Sequence, residues 1–434
     1  MTTPREKLNR RRQTFNEYVE QGEIDQQTAE AVRELVDAYD DNNIMVAAPE
    51  GENSREPSTL MSWLYRLTQF AFESNITEAT ADEINRQVQQ MHDGGHPRVK
   101  DDGIQKSTLR AYQAALRKFY NYHDFQIEPS EIPMFSQKDT SVNPEDMLTK
   151  EEIQEVREAA DNPRDRLIFE LLLYTGQRRE ALRTLRLKDV NPQEGTYRLN
   201  PERDGLKGAQ KRNGNRPLLG AKATVQNWLE YHPDTSDPEN YLITARPSWA
   251  AVDPSEPVSG ETIRRVVQDL KKNTSIQKPL HPHALRHNFV TIAARDYDIP
   301  HNTIKYLIGH SADSQVMETT YSHLSGDDHV QRAEEAFGIR EPVEESPLTP
   351  EVCNVCSEPL PPTAKACSNC GNVFTPDAKQ AENQIEQGMK DSYRKVDPDD
   401  TETIEKIDAL DDLLADPDVK AALLEKLSEE EKQY

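Results

Sequence analysis

The chain has 434 residues, 35% hydrophobic and 6% aromatic, with a formal net charge of −25 at pH 7. That length implies two or three folded units plus connections. No apolar run approaches the roughly 18 residues a membrane-spanning helix needs, and the polar, basic start argues against a secretory leader, so no membrane partner and a cytoplasmic location are expected.

The acidity is unevenly spread: residues 1–150 hold 17 basic and 26 acidic side chains, residues 151–340 hold 26 and 28, and residues 341–434 hold 9 and 23. The middle third is nearly neutral, and 18 of its 26 basic residues are Arg, the side chain suited to forked phosphate contacts. With only 22 Lys in the chain, the remaining acidity reads as adaptation to a very salty, halophilic cytoplasm. There a screening length of about 3 Å means that distant like charges hardly repel a polyanion.

In chain order, residues 1 to about 45 read as helical, with Phe15, Tyr18, Val19, Ile24, Ala29, Val32, Leu35 and Val36 recurring at helical spacing. A second helical stretch runs from Ser58 to about Phe72. A third, opening on the capping-box pattern Thr80 to Glu83, ends near Met91. Residues 107–123 form one strongly periodic helix, and Pro129 to Pro144 reads as a linker closing an all-helical domain. A second capping box at Thr149 opens a new domain, with helices expected at 150–160, 164–174, 222–231, 260–272, 283–295, 301–308 and 328–337. Thr196 to Leu199 and Arg216 to Leu219 are strand-like runs joined by a glycine-rich basic connection. A Pro- and Glu-rich linker, a cysteine module and an acidic tail follow. In the tail, Ile404, Ile407, Leu410, Leu413 and Leu414 mark one amphipathic helix, and Val419, Leu423, Leu424 and Leu427 another.

Four signals in the middle domain carry chemistry. YTGQRREALRTLRLKDV (174–190) projects Arg178 from a turn at Gly176, and GLKGAQKRNGNRPLLG (205–220) is a basic hairpin. HPHALRHNF (281–289) sets His283 and Arg286 on one helical face, and LIGHSADSQVMETTYSHL (307–324) places His310 eleven residues before Tyr321. This ordered set resembles the tyrosine recombinase, or phage integrase, family, Xer-like members included. The resemblance spans about residues 150–325. It implies a catalytic set of Arg178, Lys207 or Lys211, His283, Arg286, His310 and Tyr321, with Lys207 preferred because Gly208 and flexible polar residues follow it as at a hairpin tip. Two departures stand out: Ala181 occupies a position where the family carries an acidic residue, with Glu180 one place earlier, and the interval from His310 to Tyr321 is slightly long.

The residue types suit the chemistry. A phosphodiester under attack gathers negative charge on its non-bridging oxygens, which two guanidiniums hold through fixed donors. A phenol with a pKa near 10 needs a base, for which His283 is the candidate, and the leaving 5′ oxygen needs a proton, which a hairpin Lys can supply. No cofactor is required for that catalysis. Cys353, Cys356, Cys367 and Cys370 form two CxxC pairs at the spacing of a short zinc ribbon, so structural Zn2+ is expected there.

The expected architecture is therefore multidomain: an all-α core-binding (SAM-like) domain at 1–135, a mixed α+β catalytic domain at 145–340, a zinc ribbon at 350–375 and an acidic helical tail at 380–434. The expected function is site-specific recombination of double-stranded DNA through a 3′-phosphotyrosine, by a tetramer on paired sites. Its rivals are a catalytically silent DNA-binding or architectural protein and a topoisomerase-like cleaver without partner exchange.

Overall fold

The computed structural model describes residues 3–43, 48–136, 142–202, 206, 209, 214–246, 252–297, 299–311, 314–315, 350, 352–356, 358–361, 364–396 and 400–430. The chain divides into two compact units, residues 1–139 and 140–434.

The first unit is helical: α1 Pro4–Glu20, α2 Gln26–Ala38, α3 Pro57–Ala71, α4 Ala81–Asp93 and α5 Lys106–Tyr122. The first periodic stretch holds two helices. Asp25 starts α2 by accepting the Thr28 amide at 2.8 Å, and a side-chain cap of this kind ends the preceding turn. The box at Thr80 is made as expected, with the Thr80 amide donating to Glu83 at 2.8 Å. Leu8, Phe15, Val32, Leu35, Leu60, Leu64, Leu67, Phe70, Ile84, Leu109, Leu116 and Phe119 fill one core. Tyr120 of α5 closes it, its hydroxyl donating to the Ile76 carbonyl at 2.8 Å.

The second unit opens with α6 Lys150–Glu158, capped by the expected Thr149 and Glu152 box. Next come α7 Pro163–Thr175 and α8 Arg179–Arg183. Strands β1 Val190–Asn191, β2 Thr196–Tyr197 and β3 Arg216–Pro217 make an antiparallel sheet in the order β1-β2-β3, with Tyr197 opposite both Val190 and Arg216. Helices α9 Lys222–Tyr231, α10 Gly260–Lys272, α11 Pro282–Arg295 and α12 His301–Leu307 follow. The expected helix at 328–337 lies outside the described residues.

Helix α7 is apolar nearly all round and is accordingly buried on every side, against α9, α10 and α11. Of its two buried carboxylates, Glu170 is met by Arg157 at 3.0 Å and Arg166 at 2.6 Å, and Asp165 by Arg164 at 2.5 Å and Arg246 at 2.6 Å, so both charges enter the core paired.

Two short bridges, Val352 with Pro359 and Ala366 with Val373, shape the cysteine module. It leads into α13 Pro376–Lys395, α14 Thr401–Ala415 and α15 Pro417–Glu430. Helix α13 falls in the expected helical tail and begins slightly before residue 380. Ala366, Ala378 and Leu424 make a small core joining module and tail. The module also lies against α7 and α11: Phe374 and Asn372 share an apolar cavity of about 210 Å³ with Tyr174, Phe289 and Tyr297. No helix among the described residues is long and apolar enough to cross a membrane.

Candidate active site

The turn after α7 is where the site begins. Gly176 takes a left-handed conformation, φ +57°, and a Cβ there would fall 2.4 Å from the Phe289 ring. Only glycine meets both demands. The chain then extends through Gln177 and Arg178, and Arg178 stands half-buried at the start of α8. Glu180, the nearest acidic residue to the family's missing carboxylate, forks onto Arg183 at 2.6 and 2.8 Å.

Arg286 projects from α11 and is 2% exposed. Its Nη1 donates to the Gly176 carbonyl at 2.7 Å and to the Ile308 carbonyl at 2.9 Å. One guanidinium thus ties the arginine turn to the end of α12. These are charge-assisted bonds, the stronger kind.

His310 follows two residues later, beyond Gly309, whose φ of +70° turns the chain. Its amide donates to the Lys305 carbonyl at 2.8 Å. The imidazole is 8% exposed, and its Nδ1 is buried with no hydrogen-bond partner among the described residues. Burial, and then the positive charge of Arg286, Arg178 and Lys305, with His283 also close by, pushes its pKa down to about 3. At neutral pH His310 is therefore an uncharged N–H donor among cations. That depression records the convergence of separate segments: four groups bearing on one imidazole come from α11, α12 and the arginine turn.

His283 is exposed at the first turn of α11, its ring centroid 4.3 Å from that of His287. The preceding His281 caps the same helix, accepting the Ala284 amide at 3.1 Å, which gives it a structural role. Lys207, Lys211 and Tyr321 lie outside the described residues. Ala209, midway between the two lysines in sequence, is described, and it packs so closely on Gly309 that a Cβ there would come within 2.7 Å of its own.

Three residues not singled out in the sequence also belong here. Gln177 is 1% exposed and its Nε2 donates to the Tyr197 hydroxyl at 3.0 Å and the Leu307 carbonyl at 2.5 Å. Tyr197 is buried, which pushes its hydroxyl up to about 12 against the opposing pull of nearby Arg216. Arg216, 1% exposed, sits over the Tyr306 ring at 5.0 Å. Gln177 lies inside the TGQR motif, so a polar residue between the turn glycine and the arginine was the available signal; Arg216 carried none.

Fixed guanidiniums around a neutral imidazole can hold an anion such as a phosphodiester through the charge it develops under attack. Residues 146–327 match the phage integrase family. The chain is 25% identical over 258 residues to the tyrosine recombinase XerA of Saccharolobus solfataricus, covering 58% of this chain and 76% of that protein. It is 31% identical over 170 residues to the tyrosine recombinase XerA of Pyrococcus furiosus, covering 38% and 53% respectively. A crystal structure of XerA recombinase aligns at a TM-score of 0.36 with 20% identity, covering 72% of this chain and 99% of that one.

Proposed function

We propose that this chain is a site-specific DNA recombinase that cleaves and rejoins duplex strands through a 3′-phosphotyrosine at Tyr321. The observation that carries the reading is the Arg286 guanidinium bonding both the Gly176 carbonyl, two residues before Arg178, and the Ile308 carbonyl, two residues before the buried His310. Arg178 and Arg286 hold the non-bridging oxygens of the scissile phosphate, and His310 adds an uncharged N–H donor to the developing charge. The Tyr321 hydroxyl loses its proton to His283 and attacks phosphorus. The bond to the 5′ oxygen breaks, and Lys207 or Lys211 protonates that oxygen as it leaves. Ala209 against Gly309 supports the hairpin as the source of that lysine. The phosphotyrosyl bond conserves the energy of the broken linkage, so the reverse attack by a 5′ hydroxyl reseals without ATP or metal.

Exchange of partners calls for a tetramer on paired duplex sites, acting in the cytoplasm. The acidic surface fits a halophilic cell, where high salt screens it. The four thiols fit Zn2+: Cys353 and Cys370 sulfurs are 3.6 Å apart, Cys356 and Cys367 sulfurs 3.5 Å, and all four lie within 4.8 Å of one another. Zn–S bonds of about 2.3 Å at tetrahedral angles put sulfurs about 3.8 Å apart. Such an ion supplies folding energy to a module too small for its own core.

The test is a nicked suicide duplex carrying a site selected with the full chain from random-sequence duplexes. A covalent complex formed by the wild type and lost in Tyr321→Phe is the expected result. Sequence-selective binding without any covalent complex would instead establish an architectural protein, and relaxation of plasmids lacking the site would establish a topoisomerase.

A further inference from the structure

We propose that Gln177 is a positioning residue that locks together the three segments bearing the reactive groups. Its side-chain amide makes two bonds to other segments: to Tyr197 on β2, the root of the basic hairpin, and to the Leu307 carbonyl at the end of α12. Its own backbone lies between Gly176 and Arg178, its amide donating to the Thr175 hydroxyl at 3.3 Å.

The last carbonyls of a helix have no intrahelical donor and must find one elsewhere. Here two successive ones, Leu307 and Ile308, are served by Gln177 and Arg286, both anchored at the arginine turn. His310 is two residues further on. Gln177 and Arg286 thus cap α12 as a pair, and the cap sets where the imidazole lies relative to both guanidiniums. Through Tyr197 the same amide fixes the strand that leads into the lysine hairpin, whose Ala209 returns to Gly309.

A purely space-filling role would be met by an apolar side chain of the same length. Burying an amide costs free energy unless both its N–H groups are bonded, as they are here. A buried amide bonded to two distant segments therefore serves their registration rather than bulk packing.

The inference rests on the strand-cleavage reading above, and the experiment separates the two. On the selected suicide duplex, single-turnover cleavage rate and duplex Kd are measured for the wild type, Gln177→Met and Tyr197→Phe. A wild type that forms no covalent complex overturns the cleavage reading itself. Given a cleaving wild type, Gln177→Met is expected to slow cleavage on the order of tenfold to a hundredfold, the scale of misplaced catalytic groups, with Kd changed less than about twofold. Tyr197→Phe, which leaves the Leu307 bond intact, is expected to slow it less. Cleavage by both variants at the wild-type rate overturns the proposal. So does a parallel loss of Kd and rate, which marks a general packing role.

Discussion

His310 offers the sharpest quantitative check, because its environment makes a signed statement about pH. The folded imidazole titrates at about 3, whereas the unfolded chain titrates near the ordinary 6.5. Between those values the unfolded state binds the proton and the folded state refuses it. Stability is therefore fully present above about pH 6.5 and is lost as pH falls toward 3. From pH 7 to pH 5 this one group removes about 2 kcal/mol, since each unit below 6.5 shifts the balance by about 1.4 kcal/mol. The measurement is urea unfolding of the full chain at both pH values, for wild type and His310→Gln. Subtracting the variant isolates His310 from His96, His123 and His281, which burial also lowers. The wild type should lose about 2 kcal/mol more than the variant. Bound duplex should shrink that excess, because a phosphate beside Arg178 and Arg286 offsets the charge that disfavours protonation. Equal losses in wild type and variant would refute the buried, cation-ringed imidazole.

Three other perturbations follow from the geometry. Gly176→Ala forces a side chain into a left-handed turn and onto the Phe289 ring, and should cost about 2–4 kcal/mol in urea unfolding; wild-type stability would contradict the packed turn. Lys207→Ala and Lys211→Ala should differ, the general acid losing about a hundredfold or more in cleavage and regaining it on a duplex with a 5′-bridging sulfur, which leaves without a proton. Loss in neither variant removes the hairpin lysine from the mechanism. Cys353→Ser should abolish a one-per-chain zinc content measured by metal analysis, and with it hydrogen-exchange protection over residues 352–373; retained protection would show that the module folds without metal.

Much of this was legible along the chain because it is local. Capping boxes at Thr80 and Thr149, the period of the helix at 107–123 and the paired CxxC spacing each depend on residues within a few positions of one another. The order of Arg178, the hairpin, His283 with Arg286, and His310 is also a linear fact. Those residue types in that order point to phosphodiester chemistry.

What the linear pattern could not contain is which side chains meet across long separations. That Arg286 bonds the carbonyls of Gly176 and Ile308 depends on α7, α11 and α12 packing in one core. Nothing at position 177 announces that its amide reaches a tyrosine on β2 and a carbonyl 130 residues away. His310 looks like an ordinary titrating histidine until burial and four neighbouring groups make it neutral. Residue types and their spacing along the chain determine the available chemistry. Desolvation and charge at close range, which exist only once distant segments pack, determine the protonation state and aim of each group.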